Sequence, residues 1–507
     1  MTHESVPGRY ILKTLGCKAN LYDSQLIEAE LRKRGWRPLG AGDAAISEGP
    51  ADVPVLCVVN SCTVTDEADR QSRKMAARLA RENENSFVVV TGCSAEVDPQ
   101  RIAASQGVSY VIGNRDKPAL VDLILSKISD KGSPARGEIM GQAEGYTELL
   151  SRHPMDREWP DPEPQLLASD EALENVTTKT TRSFVKIQDG CDAFCTYCII
   201  PYGRGPSRSV RPREVVARIR ELVQGGAREV VLTGTNIGDY GSDWSSEPAT
   251  GAPQLVELIE LILSQTSLER LRLSSLDPTE ISPALMALMG REPRLCAHFH
   301  VSLQSPHSRI LRLMKRRYGF DEVKDCLEAI ARIETSVVGG VFVGMDIITG
   351  FPGETKEEFE WGVARLRELP WNRLHVFPYS EREGTPATRL PGSVPQAERV
   401  RRTRILNELS FERMERHHQS LLNRQEPLNG VLLERAPKGP KGVGEADQGA
   451  LWVSGYTSNY IRVFAPAGSP EELRNQVVSI RPETLSLDPA GGDAALVGQF
   501  KKSSSNC

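Results

Sequence analysis

A repeated alternation of short β-branched runs with helical stretches constrains the fold of this chain most strongly. Between residues 181 and 425 it recurs six times, with predicted strands at Phe184–Gln188, Glu229–Leu232, Arg270–Leu273, His298–Leu303, Val341–Ile348 and Arg373–Pro378. Helical stretches follow at 212–225, 253–265, 280–289, 319–334, 354–369 and 396–424. Strands that alternate with helices form parallel sheets. We therefore predict an α/β fold in which this region is either a partial (β/α)6 barrel or a doubly wound sheet.

Four further regions have patterns of their own. Residues 9–127 show the same alternation, with runs at Tyr10–Leu15, Pro54–Asn60, Phe87–Thr91 and Val108–Ile112, which predicts a parallel sheet covered on both faces. Residues 128–180 are rich in Pro, Gly, Asp and Glu and are interpreted as a linker or surface insertion. Residues 427–488 contain only strand-like runs and predict a small β-barrel, and residues 489–507 are interpreted as a disordered tail.

Composition limits the classes of function. The net charge of −5 over 507 residues argues against a uniformly basic nucleic-acid-binding coat. We find neither an uncharged apolar run of roughly 18 residues nor a signal peptide, so the cytoplasm is the expected location. Ten cysteines are too few for a disulfide scaffold of this length and indicate metal binding or redox chemistry.

The densest group of cysteines follows the first predicted strand of the 181–425 region. Cys191, Cys195 and Cys198 form a C-x3-C-x2-C loop, so three thiolates within eight residues can converge on one centre. Iron–sulfur clusters are held by such thiolates, and three ligands would leave one iron of a cubane open. The alternative is a structural zinc site completed by a distant His or Cys.

A second set of cysteines follows the first three predicted strands of the N-terminal region. Cys17, Cys62 and Cys93 each end a strand, and the carboxyl ends of neighbouring parallel strands face one crevice. These three thiols can therefore meet and form a second metal site, although buried cysteines often serve only as small apolar residues. Cys57 lies within a strand and is expected in the core, and Cys296, Cys326 and Cys507 have no comparable setting.

With these motifs in place, the sequence resembles the radical S-adenosylmethionine (SAM) methylthiotransferases from about residue 9 to residue 488. The matching segments are TLGCKANLYDSQ at 14–25, VNSCTVTDEADRQSRK at 59–74, TGCSAE at 91–96, KIQDGCDAFCTYCIIPYGRGPSRS at 186–209, HVSLQS at 300–305, MDIITGFPGET at 345–355 and HVFPYSEREGTPA at 375–387. Together with KRRY at 315–318, they look most like the branch that modifies threonylcarbamoyladenosine in tRNA.

The resemblance implies a transferase with two 4Fe–4S clusters. One would be held by Cys191, Cys195 and Cys198 and would bind SAM, and the other would be held by Cys17, Cys62 and Cys93. The 427–488 barrel would be a TRAM domain. The implied partners are the tRNA anticodon stem-loop, a low-potential electron donor such as flavodoxin or ferredoxin, and a sulfur source, with no membrane.

The resemblance also implies the reaction. One SAM would methylate a sulfur on the second cluster, and a radical from another SAM would activate C2 of the adenine, a carbon that is neither acidic nor electrophilic. The alternatives are the same chemistry on isopentenyladenosine in tRNA or on a ribosomal-protein side chain. A non-enzymatic alternative is a zinc-stabilised RNA-binding protein.

Further site residues are predicted from their positions. The candidates for SAM binding are Tyr197 beside the last loop cysteine and residues at later strand ends, namely Thr233, Gly234, Ser274, Gln304 and Asp346. The candidates for contact with RNA phosphates, which position a nucleic acid, are Arg204, Arg208, Arg211 and Arg213. Trp452, Tyr456, Tyr460 and Phe464 of the 427–488 region either stack on bases or pack in the core.

Overall fold

The structure is a computed structural model that describes residues 8–39, 55–83, 85–129, 136–142, 156–160, 181–244, 254–435, 439–440, 451–489 and 491–501. Cys507 and most of the predicted 128–180 insertion lie outside the described residues. None of the helices in these ranges has the length and apolar character needed to cross a membrane.

The N-terminal unit is a six-stranded parallel sheet in the order β2-β1-β3-β4-β5-β6. Its strands are β1 (Arg9–Thr14), β2 (Arg37–Pro38), β3 (Val55–Ser61), β4 (Phe87–Gly92), β5 (Tyr110–Ile112) and β6 (Glu138–Met140). Its helices are α1 (Lys18–Lys33), α2 (Asp66–Glu82), α3 (Cys93–Val97), α4 (Pro99–Ala103) and α5 (Leu120–Ser129). Every residue of β3 and β4 is buried, because apolar clusters pack on both faces of the sheet.

The linker predicted over 128–180 is wrong for β6, which is hydrogen-bonded to β5 as the sixth strand of this sheet. A strand of three residues is too short to give a periodic pattern, and β6 forms because its backbone pairs with the edge strand β5.

The central unit has strands in sequential order along an arc. They are β7 (Arg182–Lys186), β10 (Glu229–Thr233), β11 (Arg270–Leu273), β12 (Ser275–Leu276), β13 (His298–Gln304), β14 (Phe342–Thr349) and β15 (Arg373–Pro378), and a small ribbon is formed by β8 (Gln188–Asp189) and β9 (Arg208–Ser209). The pairs β7–β10–β11 and β12–β13–β14–β15 are all parallel. A doubly wound sheet would reverse its strand order, so the partial barrel is the correct alternative.

Helices cover the outside of this barrel. They are α7 (Pro212–Gln224), α8 (Leu255–Gln265), α9 (Pro283–Arg291), α10 (Ser308–Leu313), α11 (Phe320–Ala331), α12 (Lys356–Glu368) and α13 (Gln396–Arg424). The short helix α6 (Ile200–Arg204) packs instead against α3 of the N-terminal unit. The outward strand side chains, such as Val301 and Met345, are fully buried beneath them. The inward side chains of the same strands, such as His300 and Asp346, are partly exposed, so the barrel interior is an accessible lumen.

The C-terminal unit is a closed five-stranded barrel in the order β16-β17-β18-β20-β19. Its strands are β16 (Leu428–Arg435), β17 (Trp452–Tyr456), β18 (Arg462–Pro466), β19 (Val477–Asp488) and β20 (Asp493–Phe500), and it also holds the short helix α14 (Pro470–Leu473). The prediction of a disordered tail over 489–507 is therefore wrong for β20, which pairs with β19 and β18. The apolar run within DAALVGQF is short, and it is stabilised by closing the barrel.

The C-terminal barrel closes the base of the central one. Arg272, inside the central barrel, donates hydrogen bonds to the carbonyls of Ser458 (2.9 Å) and Thr457 (3.3 Å), and its guanidinium lies 4.7 Å from the ring centre of Tyr460. Tyr460 also stacks on His298 at 4.8 Å between ring centres. Tyr460 therefore packs at the contact between the two barrels.

Candidate functional site

The first group of thiols, here the sheet-edge triplet, consists of Cys17, Cys62 and Cys93. All three follow the ends of neighbouring strands, and the turn before Cys17 packs against Cys62 through Gly16. Burial, with Cys93 and Cys17 as further causes, raises the pKa of the Cys62 thiol to about 12. Cys62 and Cys93 are buried and Cys17 is exposed. The thiols are therefore gathered at the carboxyl edge of the N-terminal sheet, as the sequence predicts.

Local packing explains this convergence. Gly16 has φ +90° and passes so close to Cys62 that a Cβ at this position would lie 2.5 Å from Cys62 Sγ. Gly92 has φ +98°, and a Cβ there would lie 2.4 Å from the carbonyl oxygen of Ser61. Asn20 ties the first two turns together by donating to the carbonyls of Leu15 (2.9 Å) and Ser61 (2.8 Å).

The second group, here the loop triplet, consists of Cys191, Cys195 and Cys198. Backbone hydrogen bonds fold the loop, from Cys191 N to the Gly205 carbonyl and from Cys198 N to the Cys195 carbonyl, each at 3.0 Å. Burial raises the pKa of Cys191 to about 12, with Cys195 as a further cause. Burial, Cys195 and Cys191 likewise raise the pKa of Cys198, so these thiols lie close together.

Arg316 is a functional candidate that the sequence analysis did not identify. Its side chain is 7% exposed, and Nη1 donates to Cys195 Sγ at 3.0 Å. It also donates to Asp277 and to the hydroxyl of Tyr318, which hold the guanidinium in place. The KRRY segment at 315–318 was a signal for this residue, but its contact with the loop triplet depends on tertiary structure.

The carboxyl edges of the two parallel sheets face each other across a buried ion cluster. This interdomain ion cluster consists of Asp23, Lys117, Lys186, Asp189 and Arg204. Asp23 lies 2.8 Å from Lys186, 3.0 Å from Lys117 and 3.1 Å from Arg204. Burial alone would raise the pKa of Asp23, but these three cations hold it well below its usual value.

The prediction that Arg204 contacts RNA is wrong. The residue is 3% exposed, because its guanidinium lies between Asp189 at 2.8 Å and Asp23 at 3.1 Å and also donates to Asn20. Arg204 instead joins the loop that follows the loop triplet to helix α1. The electrostatic influence of Cys93 and Cys17 on its pKa places it beside the sheet-edge triplet.

Two other contacts fix the opposed edges. Asn114 Nδ2 lies 3.4 Å from Cys93 Sγ and donates to the carbonyl of Gly203 at 2.6 Å, linking the sheet-edge triplet to the helix after the loop triplet. On the other side of the lumen mouth, the Asp66 amide donates to Ser380 Oγ at 3.0 Å. The N-terminal sheet edge therefore spans the mouth from the β7 side to the β15 side.

The lumen between these edges is lined by polar groups. Burial lowers the pKa of the ammonium of Lys18, the residue after Cys17. His300 Nε2 lies 2.8 Å from Asp346 Oδ1, and the His300 ring stacks on that of His375 at 5.0 Å. Of these residues, only Asp346 is predicted from the sequence as part of the site. The alternation of polar residues along β11, β13 and β15 was a signal for the others.

The predicted SAM-binding residues occupy strand ends around this lumen. Thr233 ends β10, and Gly234 follows it against Gln188. Ser274 follows β11 and is 7% exposed, and Gln304 ends β13 with φ +64°. All of them lie on the side of the barrel that carries the loop triplet.

The remaining predicted residues lie within or shortly after the segment that carries the loop triplet. Tyr197 packs edge-on against Phe351 with ring centres 6.4 Å apart. The guanidinium of Arg208 lies 5.3 Å from the ring centre of Trp159, and that of Arg211 lies 4.9 Å from the ring centre of Trp244. The side chain of Arg213 is 86% exposed. Arg211 and Arg213 are exposed and accessible to a ligand, and Arg208 is partly so.

The donor sets fit iron–sulfur clusters. Each triplet offers three thiols, which is the donor chemistry of such clusters. Within the described ranges, no three Cys, His, Asp or Glu side chains are grouped to hold a single metal ion. A cubane binds each thiolate through a different iron, whereas a zinc site needs all its ligands on one ion at about 2.3 Å for sulfur.

Two family matches agree with this division of the chain. Residues 185–361 match the Radical SAM superfamily, and residues 9–113 match a family described as Uncharacterized protein family UPF0004. The first match covers the loop triplet and the strands up to β14, and the second covers the sheet-edge triplet.

Curated relatives match most of the chain. It is 33% identical to "Threonylcarbamoyladenosine tRNA methylthiotransferase MtaB" of Aquifex aeolicus, over 83% of this chain and 92% of that protein. It is 32% identical to the protein of the same name from Bacillus subtilis, over 92% of each chain. The "tRNA-2-methylthio-N(6)-dimethylallyladenosine synthase" of Sorangium cellulosum is also 32% identical, over 93% of this chain and 90% of that one.

A solved structure agrees at the level of the fold. The radical S-adenosylmethionine methyltransferase TsrM of Kitasatospora setae, with tryptophan and a SAM analogue bound, superposes with a TM-score of 0.50 at 15% identity. The match covers 75% of this chain and 74% of that one.

Proposed function

Because the chain belongs to the radical SAM methylthiotransferase family, we propose that it transfers a methylthio group to C2 of N6-threonylcarbamoyladenosine in tRNA. The observation that carries the proposal is the opposition of two thiol triplets at facing sheet edges, with one lumen between them. Relatives whose names give different substrates are similarly identical in sequence to this chain. The choice of threonylcarbamoyladenosine therefore rests also on the polar lumen.

The enzymes of this family use SAM and two 4Fe–4S clusters. We assign the SAM-binding cluster to the loop triplet, whose three thiols leave one iron for SAM, and the second cluster to the sheet-edge triplet. When bound, these groups supply the reductive cleavage of SAM and the sulfur that is transferred.

The chain itself holds and shields the reactants. The interdomain ion cluster, together with the Asn114 contacts, keeps the two triplets at a fixed separation. Tyr460 at the base of the lumen and the N-terminal sheet edge across its mouth restrict the access of water to a reactive radical and leave the mouth open to the substrate beside that edge. Thr233, Gly234, Ser274, Gln304, Asp346 and Tyr197 are the proposed wall of the SAM site.

The proposed RNA partner is the anticodon stem-loop, which would enter at the lumen mouth. Arg211 and Arg213, with Arg208 behind them, supply cationic side chains for phosphates beside the loop triplet. A low-potential donor such as flavodoxin or ferredoxin would reduce the SAM-binding cluster, and a separate sulfur source would restore the transferred sulfur. We place the reaction in the cytoplasm, where tRNA is modified.

The test uses the reconstituted enzyme. The protein is loaded anaerobically with iron and sulfide, incubated with SAM and a reductant, and offered one tRNA with threonylcarbamoyladenosine and another with isopentenyladenosine. Mass spectrometry of the digested nucleosides should show a methylthio adduct on the first only. An adduct on the second alone would reassign the substrate. A colourless protein that binds zinc and forms neither adduct would refute the enzymatic function.

A further inference from the structure

An aromatic side chain is exposed inside the lumen. Along β15, Leu374 and Val376 pack outward against the apolar core beneath the helices. His375 points inward, since its ring stacks on that of His300. Because side chains alternate along a strand, Phe377 shares the inward face of His375, and it is 47% exposed there. A large apolar ring is therefore presented to the lumen rather than to the core.

On one side, Phe377 adjoins the segment that carries the loop triplet. Its partner in the β14–β15 register is Ile348. Ile348 packs against an apolar cluster formed around Phe351, and Tyr197 packs against the same cluster. Tyr197 directly precedes Cys198. The exposed ring therefore lies next to the apolar packing that includes the loop-triplet segment.

On the other side, the turn after β15 is bound to the sheet edge that carries the sheet-edge triplet. Ser380 Oγ accepts a hydrogen bond at 3.0 Å from the amide of the first residue of α2. Arg382 donates to the hydroxyl of Thr63, the residue that directly follows Cys62. Phe377 precedes this turn in the chain. The ring therefore lies between the segments that carry the two triplets.

The reacting group of the proposed substrate fits such a ring. An adenine that leaves the stack of an RNA loop loses contact with its neighbours, and proteins replace that contact with aromatic side chains. Other inward rings are already paired, since His300 stacks on His375 and His298 stacks on Tyr460. Among the described residues, no aromatic ring packs against Phe377. Its face is therefore available to a base.

We propose that Phe377 stacks on the target adenine and positions its C2 between the two triplets. This proposal rests on the proposed function and extends it, because it names the residue that positions the reacting base. The stacking does not depend on the N6 substituent, since threonylcarbamoyladenosine and isopentenyladenosine contain the same purine. The adenine of SAM is the competing occupant, and a measurement of SAM binding separates the two.

The test compares two anticodon stem-loops that differ only at the target nucleotide. One carries threonylcarbamoyladenosine, and the other carries an abasic ribose. Fluorescence anisotropy gives the Kd of each RNA for cluster-loaded wild type, Phe377→Leu and Phe377→Trp, and equilibrium dialysis gives the Kd of SAM. Trp361→Leu is the matched control, because Trp361 is also an exposed aromatic residue, at 40%, but lies on the outer helix α12.

Wild type and Trp361→Leu should prefer the RNA that carries the base. Phe377→Leu should reduce that preference by about 10- to 100-fold, the range expected for one base stacked on an aromatic ring, by weakening only this RNA. Phe377→Trp should keep the preference, and SAM should bind equally to every variant. A merely structural role would weaken both RNAs equally. Equal weakening, an unchanged preference in Phe377→Leu, or a loss of SAM affinity alone would overturn the proposal.

The nucleoside assay separates this proposal from the proposed function. If wild type forms the methylthio adduct on threonylcarbamoyladenosine but Phe377→Leu keeps the full preference for the base, the role of Phe377 fails and the function stands. If wild type modifies only isopentenyladenosine, the substrate is reassigned, and a reduced preference in Phe377→Leu still supports the stacking. If wild type forms neither adduct and binds both RNAs equally, the function and the stacking fail together.

Discussion

Gly16→Ala should remove the second cluster while leaving the first in place. The added Cβ would lie 2.5 Å from Cys62 Sγ, whereas unbonded heavy atoms pack at about 3.5–4.0 Å. The thiol must therefore move by about 1 Å, and metal-ligand distances tolerate only about 0.2 Å. The left-handed φ of +90° adds roughly 1–2 kcal/mol of backbone strain.

The measurement is iron content after anaerobic reconstitution, together with SAM cleavage. Iron should fall from about eight to about four per chain, and SAM cleavage should persist while methylthio transfer is lost. Gly35→Ala is the matched control, because Gly35 has φ +82° but has nothing within 4 Å of the added methyl. If both variants keep about eight irons and full transfer, the assignment of the sheet-edge triplet is refuted.

Three further predictions concern the supporting contacts. Arg316→Met, which removes the donor at 3.0 Å from Cys195 Sγ, should lower the reduction potential of the SAM-binding cluster by on the order of 50–100 mV in an EPR titration; an unchanged potential would contradict this role. Asp23→Asn should lower the free energy of unfolding by about 3–5 kcal/mol, and with it the thermal midpoint, because the buried cations then share only the carboxylate of Asp189. The same cations hold the pKa of Asp23 below its usual value. The stability difference between wild type and Asp23→Asn should therefore be largest above roughly pH 4 and decrease as the pH falls further. A stability difference that does not change with pH would refute this. Tyr460→Ala should lower the free energy of unfolding by about 3–5 kcal/mol and expose the contact between the barrels to proteolysis. Tyr460→Phe, which retains the ring, should keep most of the stability. Equal losses of stability in the two variants would show that the ring packing is unimportant.

The positions of the six cysteines could be predicted from the sequence because strand ends are local features. Cys17, Cys62 and Cys93 each follow a β-branched run, and parallel strands bring their carboxyl ends together whatever the connecting segments contain. The same reasoning distinguishes Cys57, which lies inside β3 and is 0% exposed.

Arg204 shows where local sequence reasoning fails. Its neighbours in the sequence include other arginines, which indicate an exposed basic surface. Its partners Asn20 and Asp23 are 184 and 181 residues away, so only tertiary structure reveals that it is a buried cation. The C-terminal strand β20 was missed for a related reason, because its stability depends on β18 and β19.

The lumen side chains could be predicted from the sequence only in part. His298 and His300 alternate with Phe299 and Val301, and such polar alternation in a buried parallel strand indicates an interior that is not packed with apolar groups. That signal was available in the sequence.

The central claim is that one thiol triplet supports SAM cleavage and the other supplies the transferred sulfur. The most direct measurement quantifies 5′-deoxyadenosine and the methylthio nucleoside in the same reaction for Cys195→Ala and Cys62→Ala. Cys195→Ala should form neither product, and Cys62→Ala should form 5′-deoxyadenosine without the methylthio nucleoside. Formation of the methylthio nucleoside by Cys62→Ala, or equal loss of both products in the two variants, would contradict the account.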